Sequence, residues 1–314
     1  MKLMVLEPLG IEQEKLLDMV EKAVDGRMEV VAYDTRVEDV PTLIERSREA
    51  DAVILSNFPY RREVMEHCPN LKYINVAFTG VDHVDLAYCR ERGITVSNCA
   101  GYSTAAVADL VFGMVIALGR NLGTCDEVVR WGGTKNGLVG FELEGKKFGV
   151  VGLGAIGSRV AAIANAFGCE VYGYNRSPKT LPGVKQVDLD TLLSECDIVS
   201  LHVPATEETK GLMDAERIGR MKSNALLINT ARGSVVDSQA LADALNEGRI
   251  AGAGIDVFEM EPPVPEDHPL LRAKHVLATP HVAFATGQSM EKRAALVCEN
   301  LRAWLAGSPI HVVC

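Results

Sequence analysis

Hydrophobic and polar positions alternate in blocks along the chain, and this pattern predicts its secondary structure. Short runs rich in Val, Ile and Leu are separated by longer segments whose apolar residues recur with helical spacing. Nearly continuous apolar runs are typical of strands that are covered by helices on both faces. The predicted strands form two series: Leu3–Leu6, Glu29–Tyr33, Ala52–Leu55, Tyr73–Val76 and Thr95–Ser97, and then Phe148–Gly152, Glu170–Tyr174, Ile198–His202, Ala225–Asn229, Gly254–Val257 and Val276–Ala278. Alternating strands and helices indicate parallel, doubly wound sheets, so the two series predict two α/β domains.

Three segments lie outside these two series and set the predicted domain boundaries. The segment Ser103–Arg120 is typical of a long helix that is apolar on nearly all sides, so we expect it to be buried between domains or against another subunit. Residues 121–146 resemble an irregular excursion, and Gln288–Ala306 is predicted as a final helix. We therefore predict a discontinuous first domain and a continuous second one, with the boundaries 1–99 plus 287–314 and 100–286.

Composition and charge narrow the class of partner. The chain has 314 residues, which is long for one typical domain and comfortable for two. Its formal net charge of −10 and pI of about 5.3 argue against a nucleic acid or an anionic membrane as a partner. No apolar stretch has the length of a membrane span, and the apolar run before Glu7 is too short for a signal peptide. The eight cysteines show no metal-binding spacing, so we predict no metal site and a reducing, cytoplasmic location.

A glycine-rich turn follows the first strand of the second series. Gly152, Gly154 and Gly157 form the pattern G-x-G-x-x-G between a predicted strand and a predicted helix, which is the context of a dinucleotide-binding Rossmann domain. The first glycine allows the tight turn, the second lets the backbone approach a pyrophosphate, and the third lets the helix pack on the strand. The backbone N–H groups of Ala155 and Ile156 are then expected to bind the phosphates from the start of the helix.

The next strand ends in Asn175-Arg176-Ser177, at the place where an NAD-binding Rossmann domain usually carries an acidic residue. A carboxylate there binds the ribose 2′-hydroxyl and repels a 2′-phosphate. An arginine in its place matches a phosphate through paired charge-assisted hydrogen bonds. We therefore expect these three residues to bind the cofactor and NADP(H) to be preferred over NAD(H). The alternative is an NAD(H) site in which Asn175 binds a plain ribose and Arg176 is solvated.

Several further motifs follow in a fixed order along the chain. They are Thr79-Gly80-Val81-Asp82-His83-Val84-Asp85, Leu201-His202-Val203-Pro204-Ala205-Thr206, Ile228-Asn229-Thr230-Ala231-Arg232-Gly233, Asp256-Val257-Phe258-Glu259-Met260-Glu261-Pro262-Pro263, and Thr279-Pro280-His281. Together with the glycine motif they resemble the D-isomer-specific 2-hydroxyacid dehydrogenases, most strongly over residues 143–286. The resemblance implies a flavodoxin-like substrate domain in addition to the Rossmann cofactor domain. It also implies a nicotinamide-dependent conversion between 2-keto acids and D-2-hydroxy acids.

The same resemblance implies three catalytic residues, Arg232, Glu261 and His281. Reduction of a 2-keto acid needs a cation for the substrate carboxylate, a proton donor for the keto oxygen and a hydride. Arg232 follows a predicted strand and is expected at the carboxyl edge of the sheet, where its guanidinium can bind a carboxylate through two hydrogen bonds. His281 is the expected acid–base residue, and Glu261 is its expected partner, since a nearby carboxylate favours a protonated imidazole.

The resemblance also assigns residues to the cofactor and to the substrate. The expected cofactor-binding residues outside the two stretches above are Thr104, His202, Val203, Pro204, Thr209, Thr230, Ala231 and Asp256. The expected substrate-binding residues all lie in the first domain and are Asn57, Phe58, Phe78, Thr79 and Gly80. In the family, the backbone amides of the loop that maps to residues 78–81 bind part of the substrate carboxylate.

Three hypotheses about function follow. The first is reduction of a small unphosphorylated 2-keto acid, such as glyoxylate or hydroxypyruvate, because residues 76–78 offer no cation for a phosphate. A D-3-phosphoglycerate dehydrogenase-like enzyme is the alternative, because Arg61 and Arg62 lie in a nearby loop. A nucleotide-sensing, corepressor-like regulator is the alternative from another class, because the resemblance extends to such proteins. The apolar helix over residues 103–120 further predicts a homodimer.

Overall fold

The computed structural model describes residues 1–260 and 263–314, which fold into two compact units. Unit 1 consists of Met1–Ser103 and Ala285–Cys314, and unit 2 is the continuous segment Thr104–Phe284. Each unit contains one parallel β-sheet whose strands alternate with helices along the chain. This arrangement confirms the prediction of two doubly wound α/β folds.

The sheet of unit 1 consists of five parallel strands that coincide with the first series of apolar runs. They are β1 (Lys2–Val5), β2 (Glu29–Ala32), β3 (Ala52–Leu55), β4 (Tyr73–Val76) and β5 (Thr95–Asn98). Their order in the sheet is β2-β1-β3-β4-β5, which is the order of flavodoxin-like folds. The intervening helices are α1 (Gln13–Val24), α2 (Val40–Ser47), α3 (Arg62–Met65) and α4 (Leu86–Arg92). Both β3 and β4 are buried at every position, which explains why β3 is entirely apolar and β4 is apolar except for the buried Asn75.

Unit 2 begins with two helices where the sequence predicted one helix and an irregular excursion. The first, α5 (Thr104–Gly119), matches the predicted apolar helix, whereas the second, α6 (Leu122–Arg130), corrects the interpretation of residues 121–146. None of the residues of α6 is buried. In α5, the side that carries Ala105, Asp109 and Gly113 is exposed, whereas residues from Ala108 to Val115 on its other sides contribute to the core of unit 2.

The sheet of unit 2 has seven parallel strands. They are β6 (Lys147–Val151), β7 (Glu170–Tyr174), β8 (Val184–Gln186), β9 (Ile198–Leu201), β10 (Leu226–Asn229), β11 (Gly252–Ile255) and β12 (Val276–Ala278). Their order is β12-β11-β10-β9-β6-β7-β8, so the direction of winding reverses between β6 and β9. Ligands of open α/β sheets bind at the carboxyl ends of the strands beside such a reversal. The edge strand β8 was not predicted, because it is short and only partly buried.

The helices between these strands are α7 (Ala155–Ala166), α8 (Leu189–Glu195), α9 (Ala215–Gly219), α10 (Ser238–Asn246) and α11 (Pro269–Arg272). The last helix of the chain, α12 (Gly287–Leu305), belongs to unit 1 and packs on α1 and β4. Within the described residues, no single helix is long and apolar enough to cross a bilayer; only α5 and α6 taken together reach that length and composition, and they meet at a bend of 55°.

Candidate active site

The glycine-rich turn after β6 has a geometry that other residues cannot adopt. Gly152 has a φ of 97°, and a Cβ there would lie 2.5 Å from the carbonyl oxygen of His202. A Cβ on Gly157 would lie 1.9 Å from the carbonyl oxygen of Gly152, so only glycine lets α7 pack this close to the strand. A Cβ built on Gly154 would meet no atom of the described residues within 4 Å. The turn therefore leaves open space at the N-terminus of α7.

The residues around this turn fit a dinucleotide. The first turn of α7 holds Ala155 and Ile156, and the unpaired N–H groups of a first helical turn favour a phosphate. Thr230, which follows β10, has a buried Oγ1 with no hydrogen-bonding partner among the described residues. Buried hydroxyl groups rarely stay unpaired, so this atom is suited to a bound ligand. Ala231 beside it is half-buried.

Asn175 ties the end of β7 to the glycine turn. Its Oδ1 accepts a hydrogen bond from the backbone N–H of Leu153 at 3.0 Å, and its Nδ2 donates to the carbonyl oxygen of Ser177 at 2.8 Å. The amide oxygen and one amide hydrogen are thus used within the loop. Asn175 therefore fixes the shape of the expected cofactor loop. Only its second amide hydrogen is left to donate a hydrogen bond to a ribose.

The positive charge after β7 comes from two side chains rather than one. Arg176 is exposed and forms an ion pair with Glu208, with 2.7 Å between Nη1 and Oε2. Lys179, which was not predicted as a site residue, donates from Nζ to the carbonyl oxygen of Leu153 at 2.5 Å. This contact could not be predicted from the sequence, because it depends on how the loop folds back onto the glycine turn. Both cations lie in the loop that follows β7, the loop expected to bind the adenosine ribose.

The loop after β9 contains four of the expected cofactor residues. The Nε2 atom of His202 lies 2.8 Å from the Oγ of the buried Ser200, and burial lowers the pKa of His202 to about 3. The imidazole is therefore neutral near pH 7, which agrees with a lining role and not with proton transfer. Val203 is half-buried and Pro204 exposed. The hydroxyl of Thr209 donates to the carbonyl oxygen of Pro204 at 2.5 Å, so it closes this loop.

The turn after β10 presents Arg232. Asn229 holds this turn, since its Nδ2 donates to the carbonyl oxygen of Arg232 at 2.9 Å and its Oδ1 accepts from the N–H of Ala231 at 3.0 Å. A Cβ on Gly233 would lie 1.9 Å from the carbonyl carbon of Phe258, so the turn rests directly on the backbone that follows β11. The half-buried Arg232 donates from Nη1 to the carbonyl oxygen of Ala231 at 2.8 Å. Asn229 lies within the motif over residues 228–233, but its role in holding this turn was not predicted.

Asp256, directly after β11, organises the loop after β12. The carboxylate is fully buried: its Oδ1 accepts from the Thr279 hydroxyl at 2.5 Å and from the N–H of Val282 at 2.9 Å. Its Oδ2 accepts from the N–H of Ala283 at 2.9 Å. Burial raises the pKa of Asp256, and these hydrogen bonds oppose the rise. Asp256 was expected to bind the cofactor, whereas in the structure both of its oxygens bind this loop.

The same loop holds His281 in a strained backbone conformation. The φ of His281 is 52°, and its N–H donates to the carbonyl oxygen of Asp256 at 2.7 Å. Few residues other than glycine adopt this left-handed region, and such strain is concentrated at functional sites. The imidazole meets the ring of Phe284 edge-on, with 5.5 Å between the ring centroids. The side chain is half-buried, as an acid–base residue that must reach a ligand should be.

Glu261, the third expected catalytic residue, lies outside the described residues. Its described neighbour Glu259 pairs with His268, with 3.0 Å between Oε2 and Nε2. The Nδ1 of His268 accepts from the N–H of Leu270 at 3.3 Å, so Nε2 carries the hydrogen in the neutral ring. Phe258 packs edge-on against the same imidazole. The buried His268 therefore connects Phe258 and Glu259 to Leu270.

The expected substrate residues of unit 1 gather at the carboxyl edge of its sheet. Asn57 and the buried Phe58 follow β3, while Phe78, Thr79 and Gly80 follow the adjacent β4. The Oγ1 of Thr79 is buried without a hydrogen-bonding partner among the described residues, and its carbonyl oxygen accepts from Asn98 at 2.7 Å. Within unit 2, Thr104 is half-buried at the first position of α5.

Comparison with known proteins points to one family. Residues 112–283 match the family described as "D-isomer specific 2-hydroxyacid dehydrogenase, NAD binding domain". A hydroxypyruvate reductase from Blautia hydrogenotrophica is 35% identical over 309 residues, which cover 94% of this chain and 95% of that protein. A glyoxylate reductase from Thermofilum pendens is 42% identical over 276 residues, 84% of this chain and 81% of that protein. The structure of the acyclic imino acid reductase Bsp5 in complex with NADPH and D-Arg is similar with a TM-score of 0.92 and 32% identity, and 100% of each chain is covered.

Proposed function

The chain belongs to the D-isomer specific 2-hydroxyacid dehydrogenases, a family of nicotinamide-dependent oxidoreductases, and we propose that it uses NADPH to reduce a small unphosphorylated 2-keto acid. Glyoxylate and hydroxypyruvate are the proposed substrates, and the product is the corresponding 2-hydroxy acid, glycolate or D-glycerate. The observation that carries the proposal is the placement of Arg232, Asp256 and His281 after β10, β11 and β12, three neighbours in one sheet. The carboxyl edge of such a sheet is where open α/β folds bind their ligands.

The proposed chemistry uses Arg232 and His281. A guanidinium has five N–H donors, so Arg232 can bind the substrate carboxylate and polarise the keto oxygen while it keeps its bond to Ala231. The nicotinamide, when bound, supplies the hydride. The imidazolium of His281 donates its proton to the keto oxygen, which leaves a hydroxyl group on the product. The role of Glu261 as the partner of His281 is proposed from the family resemblance.

The proposed preference for NADP(H) is supported by the charges after β7. Arg176 and Lys179 bring two cations to the expected ribose end of the cofactor, and the first position after the strand is the amide Asn175. A 2′-phosphate is attracted to such a site, whereas a carboxylate would repel it. The similar imino acid reductase was solved with NADPH. We propose that Arg176 exchanges its ion pair with Glu208 for the 2′-phosphate.

We assign substrate binding to unit 1 and cofactor binding to unit 2, with the functional boundaries proposed at residues 99/100 and 286/287. The buried Oγ1 of Thr79, which has no hydrogen-bonding partner among the described residues, supports a role of the loop after β4 in binding the substrate. We further propose that the enzyme works in the cytoplasm. Burial raises the pKa of Cys89, Cys99 and Cys196 to about 12, which fits a role of these thiols in packing and not in redox chemistry.

A homodimer is proposed through the start of unit 2. The exposed side of α5 carries only small side chains and Asp109, and the following segment exposes Leu122, Val129, Trp131 and Val139. Trp131 is 88% exposed, which is unusual for so large an apolar side chain. Sedimentation of the purified protein tests the dimer: Trp131→Lys should yield monomers, whereas Leu271→Lys, at another exposed apolar position, should not.

The proposed activity is tested with a panel of 2-keto acids assayed with NADPH and with NADH. Glyoxylate or hydroxypyruvate should give the highest kcat/KM, and 3-phosphohydroxypyruvate should give a low one. A high kcat/KM for 3-phosphohydroxypyruvate would instead support the phosphoglycerate dehydrogenase-like alternative. The variant His281→Asn serves as the inactive control, because asparagine tolerates the positive φ of this position. We expect its kcat to fall by about 100-fold or more. Turnover of no 2-keto acid with either cofactor would refute the proposal and favour the corepressor-like alternative.

A further inference from the structure

A buried acid lies at the carboxyl edge of the unit 1 sheet, among the expected substrate residues. Glu7 follows β1 and is only 3% exposed. Its Oε1 accepts from the N–H of Ser56 at 2.6 Å, and its Oε2 accepts from the Nη1 of Arg36 at 2.9 Å. A carboxylate is rarely this buried unless it is paired and hydrogen-bonded. Both conditions are met here, so the Glu7 side chain is held in one position near the ends of β1 and β3.

Arg36 is held in place from several directions. The segment that carries it, between β2 and α2, is braced by Arg46, whose Nη1 donates to the carbonyl oxygen of Thr35 at 2.6 Å and whose guanidinium stacks on the ring of Tyr33. The guanidinium of Arg36 itself pairs with Glu7 and also with Glu38, with 2.8 Å between Nη2 and Oε1. Two carboxylates thus balance its charge. A neutralised arginine is poorly suited to bind an anionic substrate, so its function lies elsewhere.

The third partner of Arg36 is Asn57. The Nη1 of Arg36 donates to the Oδ1 of Asn57 at 2.8 Å. A guanidinium offers only donors, so the amide oxygen of Asn57 must face it and the amide Nδ2 must face the other way. Glu7 and Arg36 therefore fix the orientation of the Asn57 amide. Asn57 is half-buried and stands between Ser56, which Glu7 holds, and the fully buried Phe58.

Resting on the proposed function, we propose that Arg36 and Glu7 are positioning residues that make Asn57 a selector of the substrate side chain. The Nδ2 of Asn57 donates a hydrogen bond to an oxygen on C3 of the 2-keto acid. The substrate class favoured by this arrangement is a 2-keto acid with a hydroxyl on C3, as in hydroxypyruvate, over one with a methyl group there. A site built to bind a hydroxyl discriminates well against an analogue that lacks it.

The test compares two substrates of nearly equal shape. Hydroxypyruvate carries a hydroxyl where 2-oxobutyrate carries a methyl group, so the ratio of their kcat/KM values reports the hydrogen bond. In the wild type this ratio should be well above one. Asn57→Leu, which keeps the branched shape of the side chain and loses the donor, should lower the ratio about tenfold. The change should appear mainly in KM for hydroxypyruvate.

The positioning role is tested separately. Arg36→Met keeps an unbranched apolar stem and removes the donors of the guanidinium, and it should lower the same ratio while Asn57 is still present. Arg36→Lys, which retains the positive charge and an N–H donor group, should restore part of it. Arg48→Met, at an exposed arginine of the same unit, serves as the control and should leave the ratio unchanged. Thermal unfolding of each variant verifies that it is folded.

The outcomes separate the two proposals. If the wild type reduces both substrates but Asn57→Leu leaves their ratio unchanged, the selector role of Asn57 is wrong while the proposed function stands. If Asn57→Leu lowers the ratio and Arg36→Met does not, Asn57 acts without the help of Arg36 and Glu7, and the positioning role is wrong. If the wild type reduces no 2-keto acid, the proposed function fails and this inference fails with it.

Discussion

Both oxygens of the Asp256 carboxylate bind the loop that carries His281, and the N–H of His281 donates to the carbonyl oxygen of Asp256 at 2.7 Å. The loop follows β12 and Asp256 follows β11, so the contact joins the ends of two neighbouring strands. This contact also holds His281 at its positive φ, a strained conformation that persists only where neighbouring contacts hold it. Asp256 thus determines where the expected acid–base residue lies.

Asp256→Asn should therefore impair the chemistry of the enzyme more than its folding. The new amide nitrogen would face a hydrogen-bond donor of the loop, so the variant should lose about 1.5–3 kcal/mol of stability. A displacement of His281 by about 1 Å is expected to lower kcat about 100-fold. Steady-state kinetics and thermal unfolding measure the two effects. Asp243→Asn, at an exposed position of α10, is the control, and an unchanged kcat in Asp256→Asn would contradict the positioning role.

Gly233→Ala should displace the turn that presents Arg232. The added Cβ would lie 1.9 Å from the backbone of Phe258, so either that backbone or the turn must move. We expect kcat/KM to fall at least tenfold and the melting temperature to drop by several degrees. Gly219→Ala is the matched control, because a Cβ there meets no atom of the described residues within 4 Å and helix α9 favours alanine. Equal behaviour of the two variants would show that the turn is not under steric constraint.

The sequence predicted the strands and the strand-end residues for the same physical reason. Parallel strands such as β3 and β10 are buried at every position, so they stand out as nearly continuous apolar runs, and the residues that follow each run lie at the carboxyl edge of the sheet. The catalytic roles of Arg232 and His281 were implied by the family resemblance, and the strand pattern added that both residues lie near this edge. The edge strand β8 and the exposed helix α6 lack such runs, so the same pattern could not reveal them.

The contacts between the site residues were less predictable. The side chain of Asp256 reaches residues more than twenty positions further along the chain, and Arg36 meets Asn57 across 21 positions. No local pattern of hydrophobic and polar residues encodes which atoms face each other over such separations. The pairing depends on the loop conformations after β2, β3 and β12. The sequence thus identified the residues of the sheet edges but not the network that orients them.

Stability of the protein in acid should depend on His202. Its pKa of about 3 in the folded state lies below the ordinary value of 6.5, so between these values the unfolded chain binds a proton that the folded chain does not. Stability is therefore fully present above pH 6.5 and falls by about 1.4 kcal/mol for each pH unit below it, down to about pH 3. Urea unfolding of the wild type and of His202→Gln, at about pH 7.5 and about pH 5.5, measures this term.

The variant should lose less stability than the wild type between these two pH values, by about 1–1.5 kcal/mol. Glutamine does not titrate and can still bond to the hydroxyl of Ser200. His67→Gln, at an exposed histidine of unit 1, is the control and should follow the wild type. If His202→Gln shows the full acid sensitivity of the wild type, the imidazole is not kept neutral by burial.

Removal of Arg176 should change the choice of cofactor more than the rate of reduction. Arg176→Ala takes away a guanidinium that a 2′-phosphate can bind, so kcat/KM for NADPH should fall about 10- to 100-fold while the value for NADH changes little. Glu208→Gln should act in the opposite direction, because it releases Arg176 from its ion pair and removes a charge that repels the phosphate. Arg249→Ala is the control, since Arg249 forms a similar exposed ion pair with Glu247 elsewhere in unit 2. An equal loss of kcat/KM with both cofactors, or no loss with either, would show that Arg176 does not bind the 2′-phosphate.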